Sequence, residues 1–238
     1  MSRFLKKLYL AIAVPCALNL PLFLGMLEQL MEKAGAGMGV IRLLQILAAV
    51  LLVLTYLWLL VWPVRDSART GLRARMMMGG RRSICWGLYG AVLQVWVIWR
   101  LFRPASGIAL MLGKGFQILD VVLAVLGILF LLFFGTLRIF FTSRRLGIVR
   151  RIVMLLTWWI PLVNLAVLLY ACRLVYEEYD FEGEKAELRA LRVDSDLCAT
   201  RYPLLMVHGI GFRDLRYFNY WGRIPRELKR NGAVIYYG

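Results

Sequence analysis

The feature that most constrains this fold is a series of apolar segments, each long enough to cross a lipid bilayer as a helix. Residues 43–62 form the most uniform of them, and residues 8–27, 84–102, 116–137 and 152–172 have the same character. A helix of about 20 apolar residues crosses the hydrocarbon core of a membrane. Since 61% of the residues are hydrophobic, the composition agrees with this interpretation. The sequence therefore predicts a region of about five transmembrane helices over residues 1–172.

The first apolar segment has a competing interpretation. A short basic start followed by an apolar run is also typical of a secretory signal peptide. The length of residues 8–27 and the lack of a clear small-residue cleavage site favour a membrane helix instead. Pro15 and Pro21, with Asn19 between them, are expected to kink this helix because proline cannot donate a backbone hydrogen bond.

The positive charge orients the helices and excludes one class of partner. The chain carries 30 Lys and Arg against 14 Asp and Glu, and most of this excess lies in the hydrophobic region. It therefore predicts a lipid bilayer as partner and argues against nucleic acid. Residues 1–7, 63–82 and 138–151 are rich in Lys and Arg, which predicts a cytoplasmic N-terminus. Five crossings then place the C-terminal region outside the cytoplasm.

The remaining residues are less apolar and more varied. Residues 173–200 are charged and helix-prone, which predicts a solvated connector. Residues 202–207 are a short apolar run, followed by the closely spaced glycines Gly209 and Gly211. An amphipathic helix is predicted over residues 222–231, with Gly232 at the position of a C-terminal cap, and a second strand over residues 233–237. Strand, glycine loop, helix and strand predict a βαβ unit with a parallel sheet.

Residues 202–238, including YPLLMVHGIG and YFNYWGRIPRELKRNGAVIYYG, resemble the start of an α/β-hydrolase of the bacterial triacylglycerol-lipase type. The resemblance implies that residues 201–238 are the incomplete start, a βαβ unit, of an α/β-hydrolase domain. It also implies a carboxylic ester or lipid as substrate, hydrolysed by a serine through an acyl-enzyme. In such an enzyme, backbone N–H groups stabilise the negative charge that develops on the carbonyl oxygen. The backbone N–H of Ile210 would be one donor of this oxyanion hole, supported by His208, Gly209 and Gly211. The alternative is that HGIG is only a turn at the end of a strand.

The catalytic triad of such an enzyme is absent from these residues. No serine lies within G-x-S-x-G, and His208 is the only histidine. Since a hydroxyl needs a base to become a nucleophile, this chain is not a competent hydrolase by itself, and we interpret it as a truncated N-terminal portion. The alternative function is that of a non-enzymatic multi-pass membrane protein, such as a transporter or sensor component, with a short extracytoplasmic tail.

Few other residues predict chemistry. Asp120 is the one acid within the second to fifth segments, and an intramembrane carboxylate is a functional candidate. Its expected position near the outer surface favours snorkelling or an ion pair with Lys114. Cys172 and Cys198 would pair if both faced an oxidising exterior, whereas Cys16 and Cys85 suggest only buried packing. A single histidine and scattered cysteines predict neither a metal site nor a cofactor.

Overall fold

The structure is a computed structural model, and it describes residues 3–64, 71–101, 114–191, 196–207 and 224–237. Its elements in chain order are α1 (Arg3–Leu18), α2 (Leu20–Lys33), α3 (Met38–Val61), α4 (Leu72–Leu101), α5 (Lys114–Thr142), α6 (Gly147–Leu156), a 3-10 turn (Thr157–Trp159), α7 (Pro161–Leu191), β1 (Leu204–Met206), α8 (Ile224–Arg230) and β2 (Ile235–Tyr237). The chain divides into two compact units, residues 1–179 and residues 180–238.

The first unit is helical, and several of its helices have the length and composition of membrane-spanning helices. Within the described ranges, α3, α4 and α5 are long and apolar enough to cross a membrane. The pair α1–α2 adds a fourth crossing if it counts as one broken helix, bent by 100°. This number is lower than the five crossings expected from the sequence, and the difference lies in the last segment, residues 152–172.

The bend between α1 and α2 occurs at Asn19, where the sequence predicts a kink. Pro21 has no N–H, so the carbonyl of Ala17 loses its usual helical donor. The N–H of Leu22, which would bond to the carbonyl of Leu18 in a continuous helix, donates instead to Asp120 Oδ1 at 3.1 Å. The backbone therefore changes direction where consecutive helical hydrogen bonds are missing.

The helices α4 and α5 pack closely because glycines lie where they touch. A Cβ atom on Gly80 would be 2.7 Å from the carbonyl oxygen of Gly135, and one on Gly135 would be 2.7 Å from Ile84 Cγ1. Small residues allow membrane helices to approach at backbone distance. This contact holds α4 and α5 together as an antiparallel pair, against which α1 and α3 pack.

Substituting Gly135 with alanine is expected to destabilise the helical unit by about 1–3 kcal/mol, because the added methyl group overlaps Ile84 and the Gly80 carbonyl. Gly115→Ala, in the same helix, is the matched control, since nothing lies within 4 Å of a Cβ atom there. Unfolding of both variants in mixed micelles of rising SDS fraction measures the difference. Equal stability of the two variants would contradict the proposed close contact.

The fifth expected segment is a helical hairpin. Residues 152–172 are interrupted by the 3-10 turn, which ends just before Pro161. At this turn the Trp158 ring contacts Phe133, with 6.2 Å between centroids, about 14 Å along α5 from its end at Thr142. On the return, Glu178 of α7 accepts a 2.6 Å hydrogen bond from Ser143. The chain thus comes back to the end of α5 from which it departed, and α6 has only 10 residues, about 15 Å.

The hairpin is held to α4 and α5 by an apolar cluster. Its members are buried side chains of all these helices, namely Met77, Ile84, Ile139, Leu146, Met154, Leu168, Ala171, Cys172 and Val175. The helix α7 continues to Leu191, so the charged segment expected as a connector is helical, as predicted, over most of its length. These hydrophobic contacts hold the α7 half of the hairpin against α4 and α5, near the ends of these two helices that carry the basic residues.

The second unit contains the predicted βαβ arrangement in a short form. The strands β1 and β2 are parallel, with Leu204 opposite Ile235 and Met206 opposite Tyr237. The helix α8 lies between them in sequence, and Gly232 follows it with φ +89°, the left-handed conformation expected of a C-terminal cap. Met206, Ala233 and Ile235 are buried together. The prediction of a parallel pair is confirmed, whereas a hydrolase fold is not demonstrated by two strands.

Candidate functional sites

The residues predicted to form the oxyanion hole lie outside the described residues. They are His208, Gly209, Ile210 and Gly211, directly after the last described residue of this stretch, Val207. The flanking structure is defined: Leu204 N–H donates to the Val234 carbonyl at 2.8 Å and Cys198 N–H to the Asn231 carbonyl at 2.7 Å. The strand β1 therefore leads into the glycine loop from a position paired with β2, and no geometry is assigned to the loop.

A second group of polar residues lies at the break between α1 and α2, inside the helical unit. Asp120 is 1% exposed, and its Oδ1 atom accepts the Leu22 N–H. Its Oδ2 atom is buried and has no hydrogen-bond partner among the described residues. Neither snorkelling nor the expected ion pair with Lys114 is present, because α2 covers the carboxylate and supplies its donor.

Two amide side chains of the helical unit also have buried atoms without partners among the described residues. Gln94 is 3% exposed, and both its Oε1 and Nε2 atoms are buried without a partner in the described part of the chain. Asn19 is 7% exposed; its Nδ2 donates to the Pro15 carbonyl at 3.1 Å, and its Oδ1 is buried without a described partner. We refer to Asn19, Gln94 and Asp120 as the break site.

The break site offers oxygen atoms with free lone pairs and one carboxylate. Buried polar groups without partners cost free energy, about 1–3 kcal/mol each, so such a concentration is unusual in a folded interior. The sequence singles out Asp120 as an intramembrane acid and Asn19 as a residue between two prolines. Gln94 carries no such signal. The sequence does not distinguish a glutamine that is buried between apolar helices from one that faces a polar loop.

A third polar group, which we call the Glu178 cluster, comprises Arg73, Ser143 and Glu178. Glu178 Oε2 accepts from Ser143 Oγ at 2.6 Å, and Arg73 Nη1 donates to Glu178 Oε1 at 2.8 Å and to the Thr142 carbonyl at 2.6 Å. The N–H groups of Arg144 and Arg145 donate to the same carboxylate at 3.1 and 3.2 Å. All acceptor capacity of Glu178 is thus used, which marks the cluster as structural.

The electrostatics of Glu178 agree with this role. Burial raises the pKa of this carboxyl, but the hydrogen bonds from Ser143, Arg73 and the backbone of Arg144 and Arg145 outweigh it and lower the pKa below its ordinary value. The carboxylate therefore stays ionised where the chain closes the hairpin.

The cysteines and the acidic residues form neither a disulfide nor a metal-binding group in the described ranges. Cys172 and Cys198 are both free thiols, so the possible disulfide between them is not present. No group of three His, Cys, Asp or Glu side chains is placed to hold a metal ion among the residues whose positions are described.

Comparison with protein families, with curated proteins and with solved structures finds no match to this chain.

Proposed function

We propose that residues 201–238 open an α/β-hydrolase domain that cleaves carboxylic esters, with lipids as the favoured substrate class, and that the helices attach it to a bilayer. The observation that carries this proposal is the parallel pairing of β1 with β2 across α8, with Gly232 in the left-handed conformation. That is the local arrangement which the resemblance of residues 202–238 implies. A membrane location brings such a domain to lipid substrates.

The chemistry proposed for these residues is stabilisation of an oxyanion. When a serine hydroxyl adds to an ester carbonyl, negative charge develops on the carbonyl oxygen, and the Ile210 N–H would donate to it. The alcohol then leaves, and water releases the acid from the acyl-enzyme. The serine and the histidine that such a step needs are not among these 238 residues, which supply the oxyanion donor only.

The test uses membranes of cells that express the native gene in full. A fluorophosphonate probe, which labels reactive serines covalently, is added to these membranes. We expect a labelled serine in the protein that contains these residues. Ile210→Pro removes the N–H and is expected to lower the labelling rate by about 10²–10³-fold, whereas Ile210→Ala keeps it and is the matched control. No labelling of the unmodified protein would contradict the hydrolase assignment, and equal rates for the two variants would exclude Ile210 as donor.

The proposal also includes a membrane orientation. The basic segments before α4 and after α5 favour a cytoplasmic position for those ends. Because Glu178 bonds to Ser143 and Arg73, the chain leaves the helical unit at the same face. We therefore propose a cytoplasmic start for the segment after Tyr179, in place of the extracytoplasmic position that follows from five crossings.

The second candidate is a membrane protein whose function lies within the helices, such as a transporter or sensor component. The observation that favours it is the break site, because a broken membrane helix beside a buried carboxylate is typical of ion and substrate sites. The two candidates are compatible in one protein, and labelling by the fluorophosphonate tests only the first.

A further inference from the structure

We propose that the break site binds a hard monovalent cation, of the size and chemistry of Na⁺, through oxygen atoms of Asp120, Gln94 and Asn19. This inference rests on the helical unit alone and is independent of the proposed ester hydrolysis.

The first step is the placement of the three residues relative to Leu18, the last residue of α1. Leu18 occupies the groove between α4 and α5, where it would lie 2.5 Å from a Cβ atom on Gly90 and 2.8 Å from one on Gly127. Gln94 is one turn beyond Gly90 on the same face of α4, and Asp120 is two turns before Gly127 on the same face of α5. Asn19 follows Leu18 directly, and Leu22 reaches Asp120. The break therefore lies against the faces of α4 and α5 that carry Gln94 and Asp120.

The second step concerns atoms that have acceptor capacity and no partner. Asp120 Oδ2, Gln94 Oε1 and Asn19 Oδ1 are all buried and without hydrogen-bond partners among the residues described. The residues themselves are between 1% and 7% exposed, so bulk water does not solvate these atoms. A cation coordinated by them would satisfy three acceptors that no described donor satisfies.

The third step concerns the backbone at the break. Pro21 cannot donate to the carbonyl of Ala17, and the Leu22 N–H is directed to Asp120 rather than to the carbonyl of Leu18. Carbonyls at a helix C-terminus carry partial negative charge. The end of α1 therefore adds main-chain oxygen atoms and negative potential to the same location, as in broken helices that coordinate Na⁺.

The charge balance selects the class of ligand. An ionised carboxylate in a membrane interior is costly unless a positive charge accompanies it. One carboxylate with neutral amide and carbonyl oxygens balances a single positive charge and provides the hard ligands that alkali cations prefer over soft metals. Protonation of Asp120 is the competing way to remove the charge, and the experiment distinguishes the two.

The experiment measures binding of ²²Na⁺ to the full chain in detergent micelles, together with thermal unfolding in sodium and in choline chloride at equal ionic strength. We expect saturable binding and a melting temperature several degrees higher in sodium, because a ligand that binds only the folded state stabilises it. Asp120→Asn is expected to lower the affinity by at least about tenfold and to remove the sodium-dependent shift. Glu28→Gln, an acid on α2 outside the break site, is the matched control and is expected to keep both.

Two outcomes would overturn the proposal. One is the absence of saturable ²²Na⁺ binding to the unmodified chain, including the case in which stability follows pH and ignores sodium, as protonation of Asp120 predicts. The other is unchanged binding in Asp120→Asn. If this variant does not fold, Gln94→Leu replaces it, because it removes one proposed ligand and no charge. Wild-type affinity in a folded Gln94→Leu variant would exclude Gln94 as ligand and overturn the site as assigned.

Discussion

A reporter fused after Leu191 is expected to lie on the cytoplasmic side of the membrane, the side of the basic residues that precede α4 and follow α5. Alkaline phosphatase at this position would be inactive, and green fluorescent protein would fluoresce. The physical reason is the Glu178 cluster: Ser143 and Arg73 bond to Glu178 from the ends of α5 and α4. A chain that returns to its starting point has made no net crossing, however apolar its sequence is.

The matched control is the same pair of reporters fused after Gly35, between α2 and α3. One candidate span, α3, separates this position from the basic residues that precede α4, so phosphatase is expected to be active there and fluorescence absent. Active phosphatase after Leu191 would mean that the hairpin crosses the bilayer, which restores the five crossings and contradicts the proposed orientation.

Replacing Glu178 with glutamine is expected to destabilise the helical unit by about 3 kcal/mol. The substitution removes the charge that Arg73 faces and places an amide N–H₂ group against donors, among them Ser143 and the Arg144 N–H. Unfolding in mixed micelles of rising SDS fraction measures the loss. Glu177→Gln is the matched control: this neighbour pairs with Arg173 on the surface, so its loss is expected to cost about 0–1 kcal/mol.

The same variant has a pH signature. Because the pKa of Glu178 is lowered on folding, its stabilising effect is fully present above the ordinary glutamate pKa of about 4.3 and is lost as the pH falls through the lower folded value. The unmodified chain is therefore expected to lose stability over this acidic range, and Glu178→Gln to lack that component. Identical pH profiles, or a Glu177→Gln variant as unstable as Glu178→Gln, would contradict the structural role of the cluster.

The apolar segments show both the strength and the limit of prediction from the sequence. Of the expected segments 43–62 and 116–137, the first lies within α3 up to Val61 and the second lies within α5, because a run of about 20 apolar residues admits few alternatives to a membrane helix. Residues 152–172 have the same composition and yet form parts of α6, a turn and α7. Hydropathy measures how much apolar surface a segment offers and does not state whether lipid or neighbouring helices cover it.

The polar residues show a similar contrast. Glu178 stands in a charged stretch, where the sequence predicts solvation, and it is buried by partners 33 to 105 positions away. Asp120 was expected to reach the surface, and it is covered by α2 because the chain bends at Asn19. In both cases the partner lies far away in the sequence, and local pattern contains no information about such a pair.

The sequence by itself determined the apolar parts of α3, α4 and α5, where the first segment breaks and that a parallel strand pair follows, because hydrophobic period, proline and glycine act within a few residues. Only the tertiary structure decided that the last apolar segment folds back, that Asp120 is covered by α2, and that Glu178 closes the hairpin. These features depend on contacts between distant segments, and their energies arise only when the helices have packed.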